Sequence, residues 1–197
     1  DAWREALLAD IAHEARLLPD RQLTSIFFGG GTPSLMEPGT VAALIEAAST
    51  HWTAAATIEI TLEANPNSVE AARCTDLAAV GVNRLSLGLQ SFDDKVLAFL
   101  GRAHSARDGW KALEIAQKRF RRVSFDLIYA IPGDTEDSWS ASLAQALSLG
   151  TTHLSLYQLT IEPGTRFATM VARGALEPLD SDLAAALYEL TDAMTSD

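Results

Sequence analysis

Cysteine is almost missing from this chain. The 197 residues include one, Cys74, so no intrachain disulfide can form, and a metal centre built on several thiolates has no donor set in this sequence. A lone thiol fits a reducing compartment, and the chain reads as cytoplasmic. Long apolar runs are missing as well. None approaches the ~20 residues of a membrane span, and no secretory leader is visible. Basic residues are scarce: 15 Lys and Arg stand against 26 Asp and Glu, a net charge of −11. That balance argues against binding a nucleic-acid backbone. The one basic cluster, Lys118-Arg119-Phe120-Arg121-Arg122, closes a predicted helix, where cations complement the dipole, and reads as a solvated face. His13, His51, His104 and His153 show no metal-ligand spacing. What remains is ordinary: 48% hydrophobic and 21% charged residues, the make-up of one globular domain with one core.

Periodicity alternates between helix and strand. Trp3, Leu7, Ile11, Ala15 and Leu18 follow helical spacing, and Pro19 stops that helix. Leu23–Phe28 reads as a strand, Pro38–Thr50 as a helix with Val41, Leu44 and Ile45 inward, and Thr57–Leu62 as a strand. Ser68 is the expected cap of a helix ending at Gly81. Asn83–Gly88 is the next strand, Asp93–Leu100 and Ser105–Phe120 are helical, and Val123–Ala130 is a strand. Thr135 is the expected cap of a helix with Trp139, Leu143 and Leu147 inward. A strand at Thr152–Gln158 and helices near Phe167–Arg173 and Ser181–Met194 complete the order. Strands separated by helices predict parallel pairing with right-handed crossovers. The expected fold is α/β: a partial (β/α)6 TIM-like barrel with about five strands present and at least one more expected before Asp1. A complete five-stranded open sheet is the alternative.

In such folds ligands sit beyond the carboxyl ends of the strands. The five ends deliver, in turn, Gly29-Gly30-Gly31-Thr32-Pro33; Glu63 and Asn65; Gln90 and Ser91; Asp126 followed by Ile131-Pro132-Gly133-Asp134; and Tyr157 and Gln158. Carboxylates, amides and a bare glycine backbone suit a ligand with an ammonium group and ribose hydroxyls. Arg102, in Gly101-Arg102-Ala103-His104, has the geometry to grip a ligand carboxylate. Each feature has a plainer reading: a tight turn for the glycines, a surface carboxylate for Glu63, a helix cap for Gln90-Ser91, a structural ion pair for Asp126. Cys74, among apolar neighbours on a helix, reads as a core or neutral position.

The string Phe28-Gly29-Gly30-Gly31-Thr32-Pro33-Ser34 resembles the GGGTP motif of radical S-adenosylmethionine proteins related to oxygen-independent coproporphyrinogen III oxidase. Gly81–Phe92 resembles that family's third motif. Asp126–Thr135 and His153–Thr165 look like its HemW-type branch, the haem chaperones. The resemblance covers nearly the whole chain. It implies that Gly30, Gly31 and Thr32 hold the methionine end of S-adenosylmethionine, with Glu63, Gln90, Arg102 and Asp126 completing the contacts to methionine and ribose. It further implies a [4Fe-4S] cluster, whose three-cysteine loop is absent from this sequence, as is the family's smaller C-terminal region. In family enzymes, reductive cleavage of S-adenosylmethionine yields a 5′-deoxyadenosyl radical. For the HemW branch the resemblance implies haem as ligand and haem-recipient proteins as partners, with His104 and His153 as candidate haem ligands. Two other readings stand beside it. One is an oxygen-independent coproporphyrinogen dehydrogenase, disfavoured by the Tyr157–Gly164 stretch. The other is a barrel whose glycine loop holds a phosphate-bearing metabolite, disfavoured by the lack of Lys and Arg from Gly29 to Thr50.

Overall fold

The computed structural model describes residues 2–196, with the side chains of 68–72 outside the described set; the cap expected of Ser68 therefore lies outside the described residues. Helices α1 (Ala2–Leu17), α2 (Pro38–His51), α3 (Ser68–Ala79), α4 (Asp94–Phe99), α5 (Ala106–Arg119), α6 (Glu136–Leu147), α7 (Arg166–Ala172) and α8 (Ser181–Thr195) alternate with strands β1 (Gln22–Phe28), β2 (Thr53–Ala64), β3 (Arg84–Gln90), β4 (Arg122–Tyr129) and β5 (Leu154–Gln158). The strands lie in one sheet in chain order, β1-β2-β3-β4-β5. A sheet without reversal of strand order is wound in one direction, as a barrel requires, and has no doubly wound switch point. The five strands are parallel, the arrangement of a partial TIM-like barrel.

The chain divides into two compact units, residues 1–88 with 107–124, and 89–106 with 125–197. In the first, β2 pairs with β1 through Phe28↔Leu62 and with β3 through Glu63↔Ser86. Leu62, Leu85, Leu77 and Val41 are completely buried there, and Cys74 lies in the same core at 4% exposure. Apolar and β-branched residues fill the middle strand because it is covered on both faces. Asn83 extends the ladder by one step before β3 begins: its side chain accepts from Ile60 N at 3.0 Å and donates to Ile58 O at 2.9 Å.

Three features stand apart from the regular pattern. The α1 stripe does not enter a core: Trp3 is 83% exposed and Leu7 37%. With Ile11, these residues line an open apolar cavity of about 750 Å³, shared with Leu23, Ile26 and Phe27 of β1. Second, Arg122 is not merely solvated. Its Nη1 lies 2.9 Å from Glu59 Oε2, while Arg84 Nη1 lies 3.0 Å from Oε1 of the same carboxylate. Arg84 continues through Ser124 Oγ to the buried Ser86, in steps of 3.0 Å each. Third, Leu147 faces outward and Ala146 is buried in its place, because the last turn carries the 3.6-residue period away from a strict four-residue step.

In the second unit β4 and β5 pair from Phe125↔Leu154 to Tyr129↔Gln158. Thr135 caps α6 as expected. Ser138 N donates to Thr135 Oγ1 and Thr135 N donates to Ser138 Oγ, a reciprocal box with Ser in the usual Glu position. Trp139 stacks on Tyr129 at 4.9 Å, and its Nε1 donates to Thr191 Oγ1 at 2.7 Å, joining α6 to α8.

Candidate functional site

In the first unit the register Phe28↔Leu62 brings the loop after β1 beside the end of β2. Gly30 N donates to Glu63 Oε2 at 3.2 Å. Two of the predicted site residues thus meet directly, and the contact explains the local sequence. Gly30 and Gly31 have φ of +77° and +51°, a region that costs an L side chain roughly 1–2 kcal/mol. A Cβ on either would meet nothing within 4 Å, so backbone conformation, not crowding, demands glycine, and the loop faces open space. At Gly29 the reason is crowding: a Cβ would fall 2.8 Å from the Phe27 ring. Thr32, half-buried, precedes the single 3₁₀ turn Pro33–Leu35 and makes no side-chain cap. Arg73, which the sequence reading passed over, donates to the carbonyls of Leu35 and Met36 and to Glu37 Oε1. It holds the turn after the loop, and its guanidinium is committed to these acceptors.

In the second unit Arg102 and Asp126 come together electrostatically. Burial lowers the Arg102 pKa, and the Asp126 carboxylate pushes it back up. A partly buried cation facing a carboxylate keeps its charge and its direction. Gln90, at the end of β3, is 7% exposed and has φ of +68°; Ala130, just past β4, has φ of +58°. Non-glycine residues in this region mark backbone held against its preference, a feature that clusters at ligand sites. Nothing in the residue type at Ala130 signals this. His104, half-buried, has its Nε2 3.1 Å from Leu89 O. Since a carbonyl only accepts, Nε2 carries the proton, and Nδ1 is the nitrogen left for any metal. His153 is exposed. Gln90 and Ser91 also line a cavity of about 290 Å³ with Lys95, Ile131, Asp134 and Trp139. Burial raises the Asp134 pKa, against hydrogen bonds from the Ile131 and Ala130 amides.

The first unit offers a carboxylate beside a left-handed glycine backbone, and the second a carboxylate, a buried amide and a guanidinium, each a group type that S-adenosylmethionine can use. The residues present do not fit an iron–sulfur cluster, since the single cysteine is buried. Among the described residues no group of three His, Cys, Asp or Glu side chains is placed to hold a metal ion, and no helix is long and apolar enough to cross a membrane.

Comparison with known proteins decides the family. Residues 1–146 match the Radical SAM superfamily. The chain belongs to that superfamily. Among curated relatives, the radical SAM chain is 46% identical over 189 residues to bovine radical S-adenosyl methionine domain-containing protein 1, mitochondrial, covering 95% of this chain and 43% of the relative. It is 38% identical over 197 residues to heme chaperone HemW of Mycobacterium tuberculosis, covering 100% of this chain and 50% of that protein. The chain thus spans about half the length of the curated relatives it matches. Among solved structures, the coproporphyrinogen III oxidase HemN of Escherichia coli superposes with a TM-score of 0.77 at 25% identity, over 98% of this chain and 44% of that one. Archaeal Elp3 from Methanocaldococcus infernus gives 0.74 at 18% identity, over 96% and 49%, a likeness of fold alone. The family implies S-adenosylmethionine and a [4Fe-4S] cluster as its cofactors.

Proposed function

We propose that residues 1–197 form the central part of a radical SAM core domain in a HemW-type heme chaperone, a protein that binds heme and delivers it to recipient proteins. The observation that carries this reading is the likeness to HemW proteins along the whole chain, 38% identity over 197 residues, joined to a glycine loop already in left-handed geometry and tied to Glu63. In this reading Gly30, Gly31 and Thr32 meet the methionine end of S-adenosylmethionine. The Gly31 and Thr32 amides donate to its carboxylate, and Glu63, which accepts from Gly30 N, both shapes the loop and accepts from the ammonium group. Gln90 and Asp126 accept from ribose hydroxyls, and Arg102, kept charged beside Asp126, pairs with a carboxylate. When bound, the cluster supplies the electron for radical chemistry. Its ligands are not among these residues.

The superposition on HemN favours a second reading, oxygen-independent coproporphyrinogen III oxidation. One experiment separates the two. The full-length protein, reconstituted anaerobically with iron and sulfide, is titrated with heme while its Soret absorbance is recorded, then mixed with an apo-haemoprotein. In parallel it is incubated with coproporphyrinogen III, reductant and S-adenosylmethionine. Saturable heme binding followed by transfer, without porphyrinogen conversion, supports the chaperone. Turnover of coproporphyrinogen without heme transfer would replace it with the oxidase.

A further inference from the structure

Arg102 sits on the loop after α4, outside any regular element, yet the reading above asks it to present a guanidinium in a fixed direction. The second unit contains a device that does this. Two residues on, His104 reaches back across the loop and donates from Nε2 to the carbonyl of Leu89 at 3.1 Å. The anchor is rigid. Leu89 is 1% exposed in β3, and Gln90 beside it is buried and locked at φ +68°. The loop is also tethered by Arg102 N to Leu97 O at 2.9 Å, which closes the end of α4. Gly101, at φ +72°, makes the turn just before the Arg102 tether. The Arg102 backbone is therefore held from α4 before it and from β3 after it, with the Asp126 charge within electrostatic reach of its guanidinium.

We propose that His104 is a positioning residue: by tying its loop to the end of β3, it aims Arg102 at the ligand carboxylate. This rests on the S-adenosylmethionine site proposed above. The imidazole acts through Arg102 and touches no ligand. It acts as a donor to a buried acceptor, so any side chain that places an N–H at the Nε2 position replaces it, and one that places none leaves the Leu89 carbonyl without this donor.

The test is equilibrium dialysis of labelled S-adenosylmethionine against the full-length protein, reconstituted anaerobically with iron and sulfide. The variants are His104→Ala, His104→Gln, Arg102→Ala and the double His104→Ala/Arg102→Ala, with the thermal midpoint measured for each. Loss of one hydrogen bond that acts on a single contact predicts a Kd raised about five- to tenfold in His104→Ala. His104→Gln, whose amide reaches the same point, is expected within about threefold of the parent. In the double variant His104→Ala is expected to add less than about twofold to the loss in Arg102→Ala, since residues acting through one another are not additive. If Arg102→Ala weakens binding while His104→Ala does not, or if the two losses multiply in full, the positioning role is wrong and the cofactor site stands. If Arg102→Ala itself leaves the Kd unchanged, the site assignment fails and His104 has nothing to aim. A His104→Gln variant as weak as His104→Ala, with its thermal midpoint intact, also overturns the hydrogen-bond account.

Discussion

Glu59 is held by two guanidinium groups, Arg84 and Arg122, and also accepts from Thr61 Oγ1 at 3.1 Å. Burial pushes its carboxyl up, but the Arg84 hydrogen bond and charge, with Thr61 and Arg122, outweigh that and leave the pKa below its usual 4.5. A carboxylate whose folded pKa lies below its unfolded value contributes stability above the unfolded pKa and loses it as pH falls through the folded one. Glu59→Gln is expected to cost about 1–3 kcal/mol at pH 7 in urea unfolding and to flatten the fall in stability below pH 4.5. A variant with the parent's acid limb would show that the pair of arginines is idle. Asp134 works in the opposite direction. Its folded pKa is raised above 3.8 by burial, so its charge opposes folding at neutral pH, and that cost is relieved as pH falls through the raised value. Neither shift is visible in sequence. The partner of Arg122 lies 63 positions away, so reading along the chain shows only a cluster of cations at a helix end.

Glycine at the ligand loop gives a second residue-scale expectation. Gly30→Ala meets open space but an unfavourable φ, so it is expected to cost about 1–2 kcal/mol and to weaken S-adenosylmethionine binding. Unfolding and dialysis together check this. Equal stability with unchanged binding would mean the left-handed loop is incidental.

At the scale of elements, period and punctuation carried most of the information. Alternating helices and strands, Thr135 as a cap and Gly81 at φ +111° are where local chemistry puts them. What a face meets was less legible. The Trp3-Leu7-Ile11 spacing is a genuine helical stripe, but it borders a cavity and not a packed core; periodicity reports which residues share a face and says nothing of the opposite wall. The proposed site residues come from strand ends, where this topology places ligands. His104 and Ala130 gave weaker signals: one works through a backbone carbonyl, the other through a dihedral angle. The capping box makes an element-scale prediction. Thr135→Ala removes the acceptor for Ser138 N and is expected to lower stability by about 1 kcal/mol, read by thermal or urea unfolding, with binding of S-adenosylmethionine unaffected. A change in binding at unchanged stability would place α6 in the site itself.

For the molecule as a whole, strand order is the decisive fact. Five parallel strands in unbroken chain order fit a partial TIM-like barrel, and residues 1–146 match the Radical SAM superfamily by sequence. The strong negative charge, −11 over 197 residues, suits an uncharged or cationic ligand surface better than a polyphosphate one. The lack of basic residues along the glycine loop agrees, because the nearby Arg73 is committed to carbonyls and Glu37. A glycine motif alone does not separate these possibilities; the contact of Gly30 N with Glu63 favours the proposed S-adenosylmethionine site over a phosphate one.

The central claim is that these residues bind S-adenosylmethionine, and its most direct test is the dissociation constant of the reconstituted full-length protein beside those of Glu63→Gln and Asp126→Asn. The account predicts saturable binding at one site that each substitution weakens about tenfold or more, as loss of a charge-assisted hydrogen bond requires. Saturable binding indifferent to both carboxylates, or no saturable binding at all, would contradict it.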